Sequence, residues 1–190
     1  MKTLYESLCE SLCENFFDNV GGSSFNLIDN WCKNNVNGDY VIDEKTLKIN
    51  SPNGVSISNK KLVEFPSYIQ FGTVYDFFCS CPSLKSLKGA PEKVRMNFYC
   101  DYCTSLTSLD GAPKEVGCDF HCDNCTSLKS LDGAPKEVGQ RFYCNNCTSL
   151  KSLKGVEKVG MDFYCNGCTS LKSLDDISTH VKGEIYSDIR

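Results

Sequence analysis

FHCDNCTSLKSLDGAPKEVG, residues 120–139, decides the fold, because nearly the same phrase stands on either side of it. The segment Cys-Thr-Ser-Leu-x-Ser-Leu begins at Cys103, Cys125, Cys147 and Cys168, in steps of 22, 22 and 21 residues. So short and regular a step marks stacked supersecondary units. A fifth copy begins at Cys81, and a worn sixth aligns through Val55, Ile57, Asn59, Leu62 and Phe65. Gly183 to Asp188 repeats the strand phrase once more, with Ile185 for Phe, and is expected to close the array.

Within one unit, the alternation at Phe120, His121 and Cys122 predicts a short strand, and the three-residue spacing of Cys125, Leu128 and Leu131 predicts an irregular or 3₁₀ return. A single coil has no partner for its apolar side. Coils stacked about 4.8 Å apart bury that side against each other and pair their strands in parallel. Pro91, Pro113 and Pro135, each after Gly-Ala, are expected to turn the chain back toward the next strand.

This spacing resembles the leucine-rich repeat, with Cys103, Cys125, Cys147 and Cys168 at a ladder position that is often asparagine and Asn59 keeping that asparagine in the first coil. Trp31-Cys32, Tyr40 to Asp43, Val55 to Leu62 and the Gly-Ala-Pro-Lys-Glu-Val-Gly phrase together resemble short leucine-rich-repeat proteins carried by bacteriophages and their hosts, over roughly residues 24 to 190. The resemblance implies an α/β solenoid: a leucine-rich-repeat array with a short parallel sheet, irregular or 3₁₀ return segments and an N-terminal helical cap. It implies a binding scaffold and brings no catalytic residue with it. Cysteine in place of asparagine at the ladder is its main departure.

Three segments follow. Residues 1–22 place Leu4, Leu8, Leu12 and Phe16 on one side and Glu6, Glu10 and Glu14 on the other, an amphipathic helix that packs on the cap or serves self-association. Residues 23–54 form a helical and strand cap, the helix opening at Ser23 or Ser24 and running through Trp31, and residues 55–190 form the solenoid. The three glutamates interrupt the apolar run that a secretory signal needs, and no stretch has eighteen consecutive apolar residues. A cytoplasmic location is therefore expected, that of a host cell if the chain is phage-encoded, with the fourteen cysteines as thiols.

The copies within one chain compare themselves. If the Phe and Cys of Phe-x-Cys face inward, the residue between them faces out. That column is Phe78, Tyr99, His121, Tyr143, Tyr164 and Tyr186. The preceding outward column is Asp76, Asn97, Asp119, Arg141, Asp162 and Glu184, and the following one is Ser80, Asp101, Asp123, Asn145, Asn166 and Asp188. Seven acids thus face one arginine, while Lys85, Lys88, Lys129, Lys151, Lys154 and Lys172 lie on the return. An aromatic row roughly 24 Å long, flanked by acids taken as solvated and replaceable by lysine without loss of the fold, has the composition of a protein-binding surface. The competing interpretation is a ladder that only stabilises the sheet. The strip is smaller than the roughly 800 Å² per partner of a standard interface, so a partner must also touch the solenoid edges or the N-terminal helix.

Other chemistries find less support. The Cys100/Cys103, Cys122/Cys125, Cys144/Cys147 and Cys165/Cys168 pairs have zinc-site spacing, yet they occupy the inward positions where each coil needs a compact apolar residue. A zinc-binding or redox-responsive structural protein is the alternative they keep open. Cys118 is the thiol expected at the surface. The two histidines, His121 and His180, stand in no nucleophile setting, and no phosphate-binding glycine fingerprint occurs. A net charge of −4 and the acids beside the rings disfavour direct nucleic-acid binding. The sequence predicts a non-enzymatic scaffold with no cofactor and no assigned metal ligand, binding a protein partner through Phe78, Tyr99, His121, Tyr143, Tyr164, Tyr186, Asp76, Asp101, Asp119, Asp123, Arg141 and Asp162. In its sharper form, the partner is the basic groove of a nucleic-acid-handling complex, and the chain inhibits a bacterial defence system such as a CRISPR nuclease.

Overall fold

The computed structural model describes residues 24–177 and 180–189, so the amphipathic helix expected over 1–22 lies outside the described residues. Over the described residues the chain is a β-solenoid of about six turns behind one helix, α1 (Ser24–Asn35). Each turn contributes one short strand to each of two sheets.

The first sheet is built from the Phe-x-Cys phrases: β3 (Val55–Ile57), β5 (Phe77–Cys79), β7 (Phe98–Tyr99), β9 (Phe120–His121), β11 (Phe142–Tyr143), β13 (Phe163–Tyr164) and β14 (Ile185–Tyr186). All its neighbours are parallel and in strict register, Phe77 beside Phe98, Phe120, Phe142 and Phe163 in succession. Register is forced by stacking: these phenyl rings are fully buried with centroids 5.0–5.2 Å apart, and a slip of one residue would put each ring in water and a polar side chain in the core.

The return is where the structure departs from the sequence expectation. Instead of one sheet and an irregular return, a second sheet runs β1 (Val41–Ile42), β2 (Ile49–Ser51), β4 (Phe71–Val74), β6 (Lys93–Val94), β8 (Glu115–Val116), β10 (Glu137–Val138) and β12 (Lys158–Val159), parallel throughout except for the β1–β2 hairpin. Its later strands come from the Lys-Glu-Val or Glu-Lys-Val phrase, for which no strand was expected. Two-residue strands with one buried valine each are too short to show a period of two, so only the rung below completes the pattern. Between the sheets, the Cys-Leu-Leu spacing forms separate i→i+3 turns, such as Leu128 N–H to Cys125 O at 3.0 Å and Ala134 N–H to Leu131 O at 2.9 Å.

α1 closes the N-terminal end by burying Ile28, Trp31 and Cys32, with the Trp31 ring 6.2 Å from that of Phe65. Asn59 joins cap to solenoid by donating to Asn35 Oδ1 at 2.9 Å. No helix among the described residues is long and apolar enough to cross a membrane.

Facing both cysteines of a Cys-x-x-Cys pair inward requires a sharp reversal between them. The third residue of the pair takes left-handed backbone in consecutive coils: Tyr102 at φ 59°, Asn124 at 60°, Asn146 at 57° and Gly167 at 73°. Asn and Gly tolerate that region, whereas a tyrosine pays a steric cost there. Tyr102 is also 58% exposed, so its ring returns little packing. Tyr102→Asn is expected to raise unfolding free energy by about 0.5–1 kcal/mol in chemical denaturation, and an equal or lower midpoint would show that the strain is absent.

Candidate functional site

Strand pleating turns Phe and Cys inward and aims the residue between them at solvent, so Phe78, Tyr99, His121, Tyr143, Tyr164 and Tyr186 stand in one outward column of the first sheet. The end rings, Phe78 and Tyr186, are exposed, while the four between them are half-buried. The row is an unbroken stack with successive centroids 4.5, 4.3, 4.2, 4.6 and 4.6 Å apart. Ring faces are therefore spent on one another, and what remains for a partner is edges and phenol hydroxyls. Four surface hollows of the described residues lie elsewhere, none lined by a ring of the row. The row is a ridge.

The flanking acids are not free solvated charges, which corrects the expectation that they could become lysines without harm. Asp76 Oδ1 accepts the Asn97 N–H at 2.9 Å, Asn97 Oδ1 the Asp119 N–H at 3.1 Å, Asp119 Oδ1 the Arg141 N–H at 2.8 Å, and Asp162 Oδ1 the Glu184 N–H at 3.1 Å. On the other flank, Asp101 Oδ1 accepts the Asp123 N–H at 2.7 Å, Asp123 Oδ1 the Asn145 N–H at 2.6 Å, and Asn145 Oδ1 the Asn166 N–H at 3.0 Å. Each side-chain oxygen satisfies an amide of the next rung that the short strands leave unpaired. The two columns hold Asp or Asn at nine of twelve places, and that mixture was the available signal: a wish for charge alone would not admit Asn. Arg141 has no side-chain oxygen to offer and instead places its Nε 3.6 Å from Asp162 Oδ2.

Ladder duty uses one oxygen of Asp76, Asp101, Asp119 and Asp123 and leaves the other to the face, whereas Asp162 Oδ2 also accepts from the Tyr164 hydroxyl at 3.3 Å. Burial pushes the Asp101 carboxyl up to about 6, with the Asp123 charge adding to the rise, and burial also raises Asp123. His121 is held below the ordinary imidazole value by burial, against the pull of Asp119. Burial likewise raises the Tyr99 and Tyr143 phenols, which keeps them protonated as donors. The lysines of the return, Lys85, Lys88, Lys129, Lys151, Lys154 and Lys172, are all exposed away from this face.

The cysteines form a second ladder inside. Cys103 Sγ donates to Cys79 O at 3.2 Å, Cys125 to Cys100 O at 3.2 Å, Cys147 to Cys122 O at 3.2 Å and Cys168 to Cys144 O at 3.0 Å. A thiol there fills apolar volume and supplies a weak donor. Burial pushes the Cys100, Cys122 and Cys144 thiols well up, so they stay protonated, and Cys100 and Cys122 donate forward to His121 O and Tyr143 O, each at 3.3 Å. Among the described residues, the group of three His, Cys, Asp or Glu whose ligand atoms all lie within 4.8 Å of one another is Asp101, His121 and Asp123, on the outward face, and the interior sulfurs form no such group. The sequence assigned no metal ligands, because this trio comes from two coils.

In comparisons with protein-family models, curated proteins and solved structures, no match to this chain is found.

Two outcomes follow from the ladders. Asp119→Ala is expected to lower unfolding free energy by about 1 kcal/mol, because it strands the Arg141 amide, while Asp119→Asn keeps the acceptor and stays within about 0.5 kcal/mol of the parent; equal losses would mean that charge, not the ladder, matters. With Cys9 and Cys13 replaced by serine, a thiol reagent is expected to label Cys118 alone in the native protein, since the other eleven cysteines of the described residues are buried, and rapid labelling of several thiols would contradict that packing.

Proposed function

We propose that this chain is a non-enzymatic binding scaffold whose ridge of stacked rings and flanking carboxylates docks a basic protein surface. The observation that carries this is charge and shape segregation: one sheet face gathers six stacked aromatic residues and seven acids, while the lysines of the return lie on another side. Stacking makes the ridge rigid before contact, which limits the ordering cost on binding. Phenol hydroxyls such as that of Tyr99 and the second oxygens of Asp76 and Asp119 are positioned for arginine and lysine side chains. Oriented acids steer a basic partner and confer salt dependence.

The finer identity belongs to the same proposal. The 22-residue step and inward ladder support kinship with the leucine-rich-repeat proteins of bacteriophages. A basic groove of a bacterial defence complex, such as a CRISPR nuclease, is a partner with the required charge, met in the cytoplasm of an infected cell.

Because asparagine preserves the ladder, Asp76→Asn, Asp119→Asn and Asp162→Asn together remove three charges while each keeps the oxygen that accepts the next rung's amide. The triple variant is expected to keep the parent's thermal midpoint within a few degrees, yet to bind at least tenfold more weakly to the basic protein that the parent captures from the producing or infected cell. Undiminished binding by the triple variant and by Tyr143→Ala with Tyr164→Ala would overturn the proposal.

A further inference from the structure

The aromatic row is interrupted once. His121 replaces tyrosine at the third rung, its ring stacked 4.3 Å from Tyr99 and 4.2 Å from Tyr143. The following column is also unusual there: only at Asp101 and Asp123 do two aspartates stand on successive rungs, whereas Asn145 and Asn166 continue it. Two departures from the repeat therefore coincide in space.

We propose that Asp101, His121 and Asp123 bind one divalent transition-metal ion of the zinc class at the surface of the first sheet. Their ligand atoms lie within 4.8 Å of one another. One oxygen of Asp101 takes the Asp123 amide and one oxygen of Asp123 takes the Asn145 amide and side chain, leaving each carboxylate a second oxygen with no protein donor. The His121 ring nitrogens make no hydrogen bond to the protein, so one lone pair is available. Two stacked carboxylates without a cation between them repel, and an ion of charge two removes that repulsion. Ladder bonds and ring stacking bring the three ligands beside one another before the ion arrives, and small rotations of the free carboxylate oxygens close them to the spacing of about 3.5 Å that bonds of 2.0–2.2 Å require. One imidazole nitrogen with two carboxylate oxygens suits Zn²⁺ over Ca²⁺ or Mg²⁺, which favour all-oxygen sets. Three protein ligands leave the outer positions to water or to a donor from a partner. The site needs no partner to form, so its fate is separable from that of the docking proposal.

The repeat supplies conservative variants. His121→Tyr restores the residue of the neighbouring rungs, and Asp101→Asn or Asp123→Asn keeps the amide acceptor as Asn145 does. The full chain with Cys9, Cys13 and Cys118 replaced by serine is titrated with ZnCl₂ under calorimetry and imidazole-detected NMR, which has only two histidines to resolve. One ion per chain is expected, shifting the resonances of His121 and sparing those of His180, with at least a tenfold rise in Kd for each of the three variants and no His121 shift with CaCl₂. Absence of a His121 shift, or zinc binding as tight in His121→Tyr as in the parent, would overturn the site and assign any bound zinc to thiols.

Discussion

Every coil depends on rung-to-rung repetition in parallel register. A two-residue strand has almost no stability of its own, because one or two hydrogen bonds do not offset the entropy of fixing it. Here each rung is completed by the next at five or more points at once: the phenylalanine stack, the cysteine donors, the valine of the second sheet, the Asx oxygens and the outer rings. Removing register by one residue would break all of them together, so the array is cooperative although no element is long.

That constraint makes structure and recognition share atoms. The acids that give the outer face its sign also close the backbone of the following rung, and the rings that a partner would touch also cover one another. Carboxylate and carboxamide are equivalent for the first duty and different for the second, so charge on this face is adjustable without cost to the fold. Asn97, Asn145 and Asn166 occupy places in the same ladders as Asp76, Asp101 and Asp123. The inner ladder shows the corresponding freedom: Asn59 bonds to Asn35 at the cap, while Cys103, Cys125, Cys147 and Cys168 donate to the coil before them. A thiol is smaller and less polar than a carboxamide, which suits a core filled by phenylalanine, leucine and valine.

Much of this was legible in the residues. The period, inward phenylalanines and cysteines, outward aromatic column, helical cap and closing rung at Ile185 are all visible in the chain and stand in the structure. The Lys-Glu-Val strands were not, since one valine cannot display a period. Nor was the bonding of Asp119 or Asp123, because an exposed acid and an amide acceptor are the same letter until the neighbouring coil is in place.

By itself the sequence determined which side chains face inward and which coils exist, because alternation and a 22-residue step need only local steric rules and a count. Only the tertiary structure decided that the return is a sheet, that the acids are ladder rungs, and that Asp101, His121 and Asp123 meet. Each of those is a relation between coils about 22 residues apart, with partners named by stacking rather than by adjacency along the chain.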